Sequence, residues 1–243
     1  MKRRSGPYSS RPCLGQDPRS APDPAFTLVE LLVVIAIMGI LAALLLPVLA
    51  RAKETSRSTT CCSNLRQLGI AAGVYSHDFK GQLPSFLDWL HPTNVNHAIS
   101  NGTLYPFLRT ADVYFCPTDK MTLAAKVPRG MPAASIRQYT YSMNCGLCHD
   151  ADTSRYLAST RTLLFGEADL LWNDFSGIVG PQVFFGSPSG FSYRHNNATH
   201  FLFADFHYEQ VKRPKAQVLQ RSKRFWLPTS NDPFGFGPSL PYP

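Results

Sequence analysis

Four groups of residues in this 243-residue chain could do chemistry. Cys145-Gly-Leu-Cys148-His149 has the C-x-x-C-H form that attaches a c-type haem, with two thioethers and a histidine axial ligand. His195, His200, His207 and Asp205 fall within 13 residues and could offer nitrogen and oxygen to a metal ion. Lys212, Arg213, Lys215, Arg221, Lys223 and Arg224 precede Phe225 and Trp226, a mixture of cations and rings that can hold a nucleic-acid strand. Glu30 is the fourth, a carboxylate inside an apolar block. At bilayer depth such a charge costs at least ~2.5 kcal/mol unless it finds a partner.

Each group has a plainer reading. The C-x-x-C-H run follows Tyr141-Ser-Met-Asn144 in a β-rich region with no helical haem module around it, so a disulfide through Cys145, Cys148 or both is favoured. His195 and Asp205 are too far apart along a strand to share one ion unless the chain turns, and Asn196-Asn197 could supply that turn. Capping and turn hydrogen bonds are the stronger reading there. The basic stretch reads first as a solvated face or a contact to an acidic envelope polymer, so nucleic acid is not favoured. Gly186-Ser-Pro-Ser-Gly190 centres on Pro188, not on a nucleophile, and no spacing points to a catalytic triad. No enzyme is expected, and no cofactor.

The elements that must position these residues start with a long helix. Leu31 to Ala50 is 20 residues without a charge, enough to cross a bilayer core. Five basic residues precede it, and Arg51, Lys53 and Arg57 follow; the N-terminal excess predicts a single pass with the C-terminal part outside the cytoplasm. Leu65, Leu68, Ala72 and Tyr75 recur at helical spacing, so the helix should continue amphipathically to about Tyr75 and end by Gly81 and Pro84. Gly69 and Gly73 work against it, each by ~1 kcal/mol relative to Ala. Beyond residue 85 the signals shorten: 136–143, 161–166, 182–185 and 200–206 read as strands, the last alternating Phe201 and Phe203 against Leu202 and Ala204. After Lys212 an irregular basic, then Pro- and Gly-rich tail is expected. The fold class is α+β: a long N-terminal helix and a globular head on a small antiparallel sheet.

The first 25 residues are polar and broken by five prolines, as a disordered leader would be. Five basic against two acidic residues there give +3 of the formal +8, leaving +5 for the remainder. That mild charge does not by itself imply nucleic acid.

Ala25-Phe26-Thr27-Leu28-Val29-Glu30 followed by an apolar helix resembles the prepilin peptidase signal of type IV pilins and type II secretion pseudopilins. The resemblance implies a cut between Ala25 and Phe26, N-methylation of Phe26, and an assembly role for Glu30 against a neighbouring subunit. The residue before the cut is Gly in most of the family and Ala25 here. Pro47 matches a proline common in pilin helices. Three segments follow from this: leader 1–25, membrane and spine helix 26–82, and head 83–243. Implied partners are prepilin peptidase, other pilin or pseudopilin subunits, an inner-membrane assembly platform and membrane lipid. The implied location is the bacterial inner membrane, then a periplasmic or cell-surface filament.

The head also resembles one bacterial prepilin-like branch. The matching pieces are Cys62-Ser-Asn-Leu-Arg-Gln-Leu-Gly69, Phe115-Cys-Pro-Thr-Asp119, Tyr139-Thr-Tyr-Ser-Met-Asn144, and Arg194-His-Asn196 with Asp205 ten residues after the His. The branch places Gly after that Asp, where this chain has Phe206. Cys13 would leave with the leader, and five cysteines then remain, an odd number. A spine-to-head bond from Cys62 to Cys116 is expected on position alone. Calcium, which some pseudopilins bind, has no Asp-rich loop here. The alternatives are a membrane-tethered haem protein through Cys145, Cys148 and His149, or a head that binds DNA or an acidic polymer.

Overall fold

The computed structural model describes residues 26–85, 88–90, 98–126, 130, 137–149, 153–156, 159–169, 177–178 and 190–228, with backbone alone at 124–126, 148–149, 155 and 177–178. The chain divides into two compact units, 1–49 and 50–243.

Helix α1 spans Leu28–Asp78. Thr27 and Glu30 start it with a capping box: Glu30 Oε2 accepts from the Thr27 N–H at 2.9 Å and from its hydroxyl at 2.7 Å, and Thr27 Oγ1 accepts from the Glu30 N–H at 3.2 Å. The first unit holds the apolar run, none of which is buried within the chain. Its leucines, isoleucines and valines are all exposed within the chain, which is the state of a helix whose solvent is lipid. Pro47 lies inside α1 and removes one backbone donor there.

The second unit takes over α1 from Ala50. Cys61, Leu65, Leu68 and Ala72 are fully buried, and Tyr75 packs against the same cluster with its ring stacked on Phe79 at 4.2 Å. Burying each leucine stabilises the unit by ~1.5–3 kcal/mol. One of the two glycines that weaken the helix has a packing reason: a Cβ on Gly69 would stand 2.9 Å from Leu202 Cδ2, so α1 passes close over the sheet there, whereas a Cβ on Gly73 would make only an ordinary contact with the Phe206 ring at 3.5 Å. The helix stops where Lys80 and Gly81 turn left-handed and the Gly81 N–H reaches the Ser76 carbonyl at 2.7 Å.

Short helices α2 (Tyr105–Leu108) and α3 (Pro117–Lys126) lead into the sheet. Its strands are β1 (Tyr141–Asn144), β2 (Leu163–Glu167), β3 (Gly177–Ile178), β4 (Ala198–Phe203) and β5 (Tyr208–Lys212), in the order β3-β1-β2-β4-β5. β1, β2, β4 and β5 pair antiparallel, and the two-residue β3 lies parallel to β1. The class is therefore α+β, as expected. Helix α4 (Gly146–His149) follows β1.

β4 alternates as its sequence predicts, yet both of its faces are buried. Leu202 joins Leu65, Leu68, Trp89 and Phe165 in one cluster. Phe201 and Phe203 join Phe191, Phe225 and Trp226 in another. The second layer exists because residues 213–226 are not an irregular wrap. Helices α5 (Arg213–Leu219) and α6 (Lys223–Trp226) cover that face, with Phe225, Trp226 and Leu227 buried. The expected strand at 182–185 and the Pro- and Gly-rich segment after 228 lie outside the described residues.

Candidate functional site

Residues from four elements converge at one buried point. On α1 the positions 54, 58, 61, 65 and 68 share a face, so the helix that buries Leu65 and Leu68 also turns Glu54, Ser58 and Cys61 inward. Cys116 stands immediately before α3, where Pro117 starts the helix and the Cys116 carbonyl accepts from the Lys120 N–H at 2.9 Å. Glu167 ends β2. His195 is set by a tight turn: Asn196 and Asn197 take φ of 52° and 60°, and the Ala198 N–H reaches the His195 carbonyl at 3.0 Å.

Cys61 Sγ donates to Cys116 Sγ at 2.7 Å, and Cys116 Sγ is 3.3 Å from His195 Nε2. The same nitrogen is 3.1 Å from Glu167 Oε1, which also meets His200 Nδ1 at 3.1 Å. The far sides of both rings are held as well: His195 Nδ1 by Glu54 Oε1 at 2.8 Å, and His200 Nε2 by Ser58 Oγ at 3.0 Å. Glu54 in turn accepts from the Thr118 hydroxyl. Cys61, Cys116, Glu167, His195 and His200 have no exposed surface.

Burial opposes ionisation of every group here, so the partners decide the charges. For Glu167 burial alone would raise the pKa, but hydrogen bonds from His195 and His200 and their charge drive it far below the usual carboxylate range. Burial likewise works against a charged His195, yet its bonds to Cys116 and Glu167 push it up to about 10. Burial raises the Cys116 thiol, and the hydrogen bonds from Cys61 and His195 more than offset this and bring it down. Cys61, the donor of that pair, is pushed up first by its bond to Cys116 and then by burial.

A second buried network braces this one. Asp119, on the first turn of α3, is bound by the Arg137 guanidinium through both oxygens, by Thr140 Oγ1 at 2.7 Å and by Arg194 Nη2 at 3.2 Å. Thr140 Oγ1 also accepts from the Cys116 N–H at 3.0 Å. The Phe115-to-Asp119 stretch thus presents Cys116 to one network and Asp119 to the other, and Arg194-His195 does the same from its turn.

The expected site residues divide. The structure brings His195 to the buried centre and leaves Asp205 out of it. Asp205 is exposed in the β4–β5 turn, where it accepts from the His207 N–H at 3.2 Å and pairs with its ring. Cys116 is met from α1 by Cys61, not by Cys62, which lies one position round the helix beside Tyr208. Cys145 is buried, and a Cβ on Gly146 would stand 2.3 Å from the Trp226 carbonyl oxygen, so this backbone is packed against α6. Asn144 completes that seam, donating to the Leu163 and Trp226 carbonyls at 2.8 and 2.7 Å. The segment reads as a structural joint; the Cys148 and His149 side chains lie outside the described residues. In the basic stretch Phe225 and Trp226 are core residues, Lys215 pairs with Glu209, and Arg213 covers the Tyr193 ring, so the rings expected to stack on bases are not available. Ala25 lies outside the described residues. Phe26 is exposed.

Glu54, Cys61 and Glu167 were not expected. Glu54 and Cys61 had a signal: counting back from Leu65 by four and eleven along the helical face reaches both. Glu167 had none beyond its place at the end of an apolar run. A thiol, an imidazole and a carboxylate in line could in principle make a nucleophile. Of two cavities among the described residues, one runs along Arg66, Gly69, Gly73 and Phe206, and the other runs along Thr55, Cys62 and Gln210 and meets the network only at Ser58. Cys116 lines neither of them.

Residues 24–46 match the prokaryotic N-terminal methylation motif. No curated protein and no solved structure matches the chain. The motif, the long apolar helix and the small antiparallel sheet fit a type IV pilin-like protein. They support a processed, membrane-anchored, surface-exposed subunit of the pilin or pseudopilin type, a class that is generally non-enzymatic. Processing by prepilin peptidase and assembly with other pilin subunits are what such a motif implies in general.

Proposed function

We propose that the chain is a structural subunit, a pseudopilin or minor pilin, of a type II secretion or type IV pilus-like machine. Prepilin peptidase cuts between Ala25 and Phe26, Phe26 is N-methylated, and Glu30 docks the subunit beside its neighbours. The observation that carries the reading is the methylation motif at 24–46 on a helix whose residues 31–50 are uncharged and exposed within the chain. Along that helix Glu30 is the lone carboxylate before Glu54. In the single chain Thr27 satisfies it. In the filament the amine of a neighbour's Phe26 replaces that partner, and drawing both charges into one low-dielectric contact offsets their desolvation. The membrane is the bacterial inner membrane, with the head outside the cytoplasm.

Terminal mass spectrometry on protein from the envelope of a host with its own peptidase tests this. The expected N-terminus is methylated Phe26. A terminus still at Met1, or a cut well beyond Phe26, overturns the reading. The haem and DNA alternatives gain no support from Cys145, Phe225 or Trp226, which are all buried.

A further inference from the structure

We propose that Cys61, Cys116, His195 and Glu167 are the four ligands of one structural zinc ion that clasps α1 to the sheet. The inference rests on this cluster alone and is independent of the subunit reading. Thiolate, imidazole and carboxylate are all zinc donors, four of them complete a tetrahedral shell, and soft sulfur disfavours magnesium and calcium. One donor atom from each residue lies within 4.8 Å of all the others. Around zinc, with bonds of ~2.0–2.3 Å, tetrahedral ligand atoms stand ~3.3–3.8 Å apart. His195 Nε2 is 3.3 Å from Cys116 Sγ, already at that spacing, the Glu167 carboxylate reaches the same nitrogen through Oε1 at 3.1 Å, and the two sulfurs at 2.7 Å need to part by about an ångström.

Two details point to a cation more than to a bare hydrogen-bond network. Glu167 Oε1 already meets both His195 and His200, while Oε2 is buried without a hydrogen-bond partner among the described residues and is the oxygen left for a metal. An orphaned buried carboxylate oxygen calls for a positive partner. His195 has its Nδ1 fixed by Glu54, which sets the tautomer and aims Nε2 at the sulfurs, the arrangement that metal-binding histidines show. A disulfide would account for the two cysteines and leave Glu167 Oε2 and the Glu54–His195 pair unexplained. On binding, zinc displaces to solvent whatever protons Cys61, Cys116 and His195 hold, so that two thiolates and a neutral ring bind it, and no oxidation state changes. Glu54 is then a positioning residue.

The test uses the full-length protein in detergent, purified without chelator and, separately, refolded with zinc alone. Elemental analysis should give one zinc per chain, and X-ray absorption should give two sulfur and two nitrogen or oxygen neighbours. Cobalt put in its place should show thiolate charge-transfer and intense tetrahedral bands, a readout that holds even if the cysteine variants fold poorly. Cys62→Ser should keep the metal. Glu54→Gln should weaken zinc affinity ~10–100-fold while the head's circular dichroism is unchanged. Protein purified without chelator that carries a Cys61–Cys116 disulfide and no zinc overturns the proposal. So does zinc that stays in the Cys61→Ser/Cys116→Ser double variant, or cobalt spectra without sulfur bands.

Discussion

Glu30 and Glu167 are both carboxylates set among apolar residues, and they are satisfied in opposite ways. Glu30 finds its partner three residues away, in the Thr27 backbone and hydroxyl, and remains exposed within the chain. Glu167 finds His195 and His200, brought from 28 and 33 positions along the chain into a site with no solvent contact. The first bond needs only a helix start. The second needs β2 paired with β4, the Asn196–Asn197 turn and α1 packed alongside. A locally satisfied charge can be handed to another molecule without disturbing the fold. A charge satisfied by tertiary contacts cannot be released without unfolding what holds it.

The contrast breaks first at Glu30. Glu30→Leu should leave the chain inserted, because it removes a charge from an apolar helix, and cleavage before Phe26 should persist. Incorporation into filaments should be lost, because the neighbour's amine loses its counter-charge. Comparing membrane and sheared fractions in cells with the cognate machine checks this; a mutant that assembles like wild type removes Glu30 from the docking role.

In the head the corresponding change should strike the fold itself. Asp119→Ala takes the counter-charge from the wholly buried Arg137, which keeps its bond to the Tyr139 carbonyl, and should destabilise the unit by ~3–5 kcal/mol in denaturant melts. A loss under 1 kcal/mol would mean that water reaches Arg137 and that the contrast is overstated.

Acid gives a smaller, graded version of the same experiment. Burial pushes the Asp119 carboxyl up, but the Arg137 hydrogen bonds and the Arg194 and Arg137 charges win and hold it below its ordinary 3.8. Its folded pKa lies under its unfolded one. The stabilisation is therefore complete above about pH 4–5 and is lost as pH falls through the folded value. Asp119→Asn should flatten that acid limb of the stability profile; an unchanged slope would assign it to other groups.

The smallest effect belongs to the β4–β5 turn. Phe206 takes a left-handed φ of 67°, and the Phe206 N–H still closes the turn onto the Phe203 carbonyl at 2.9 Å. The turn closes with phenylalanine in that left-handed position and carries its strain. Phe206→Gly should relieve about 1 kcal/mol, less what the partly covered ring contributes by burial. A small rise in Tm is expected, and a fall would show that the ring's burial outweighs the strain.

Much of the molecule was legible because its causes are local. An uncharged run long enough to span a bilayer, a Thr-x-x-Glu start and a Gly81 stop define α1 with no reference to the rest of the chain. The Leu65, Leu68, Ala72 stripe and the alternation of β4 follow from periodicity alone, and Asn196-Asn197 from the tolerance of asparagine for left-handed backbone. The choice of Cys61 over Cys62 was also available, since only Cys61 continues the buried stripe.

What periodicity cannot supply is the identity of a partner across the fold. Nothing near Phe225 and Trp226 marks them as core and not as an exposed binding surface; the sheet face they cover decides that. Nothing near Glu167 announces two histidines, and Asp205 has the better spacing on paper, yet the β4–β5 turn leaves it in solvent. The sequence by itself determined the membrane helix, its processing motif and the α+β class, because short-range sterics and hydrophobic pattern are enough for those. Only the tertiary structure decided which thiols, imidazoles and carboxylates meet, because a contact between distant residues depends on how every element between them packs.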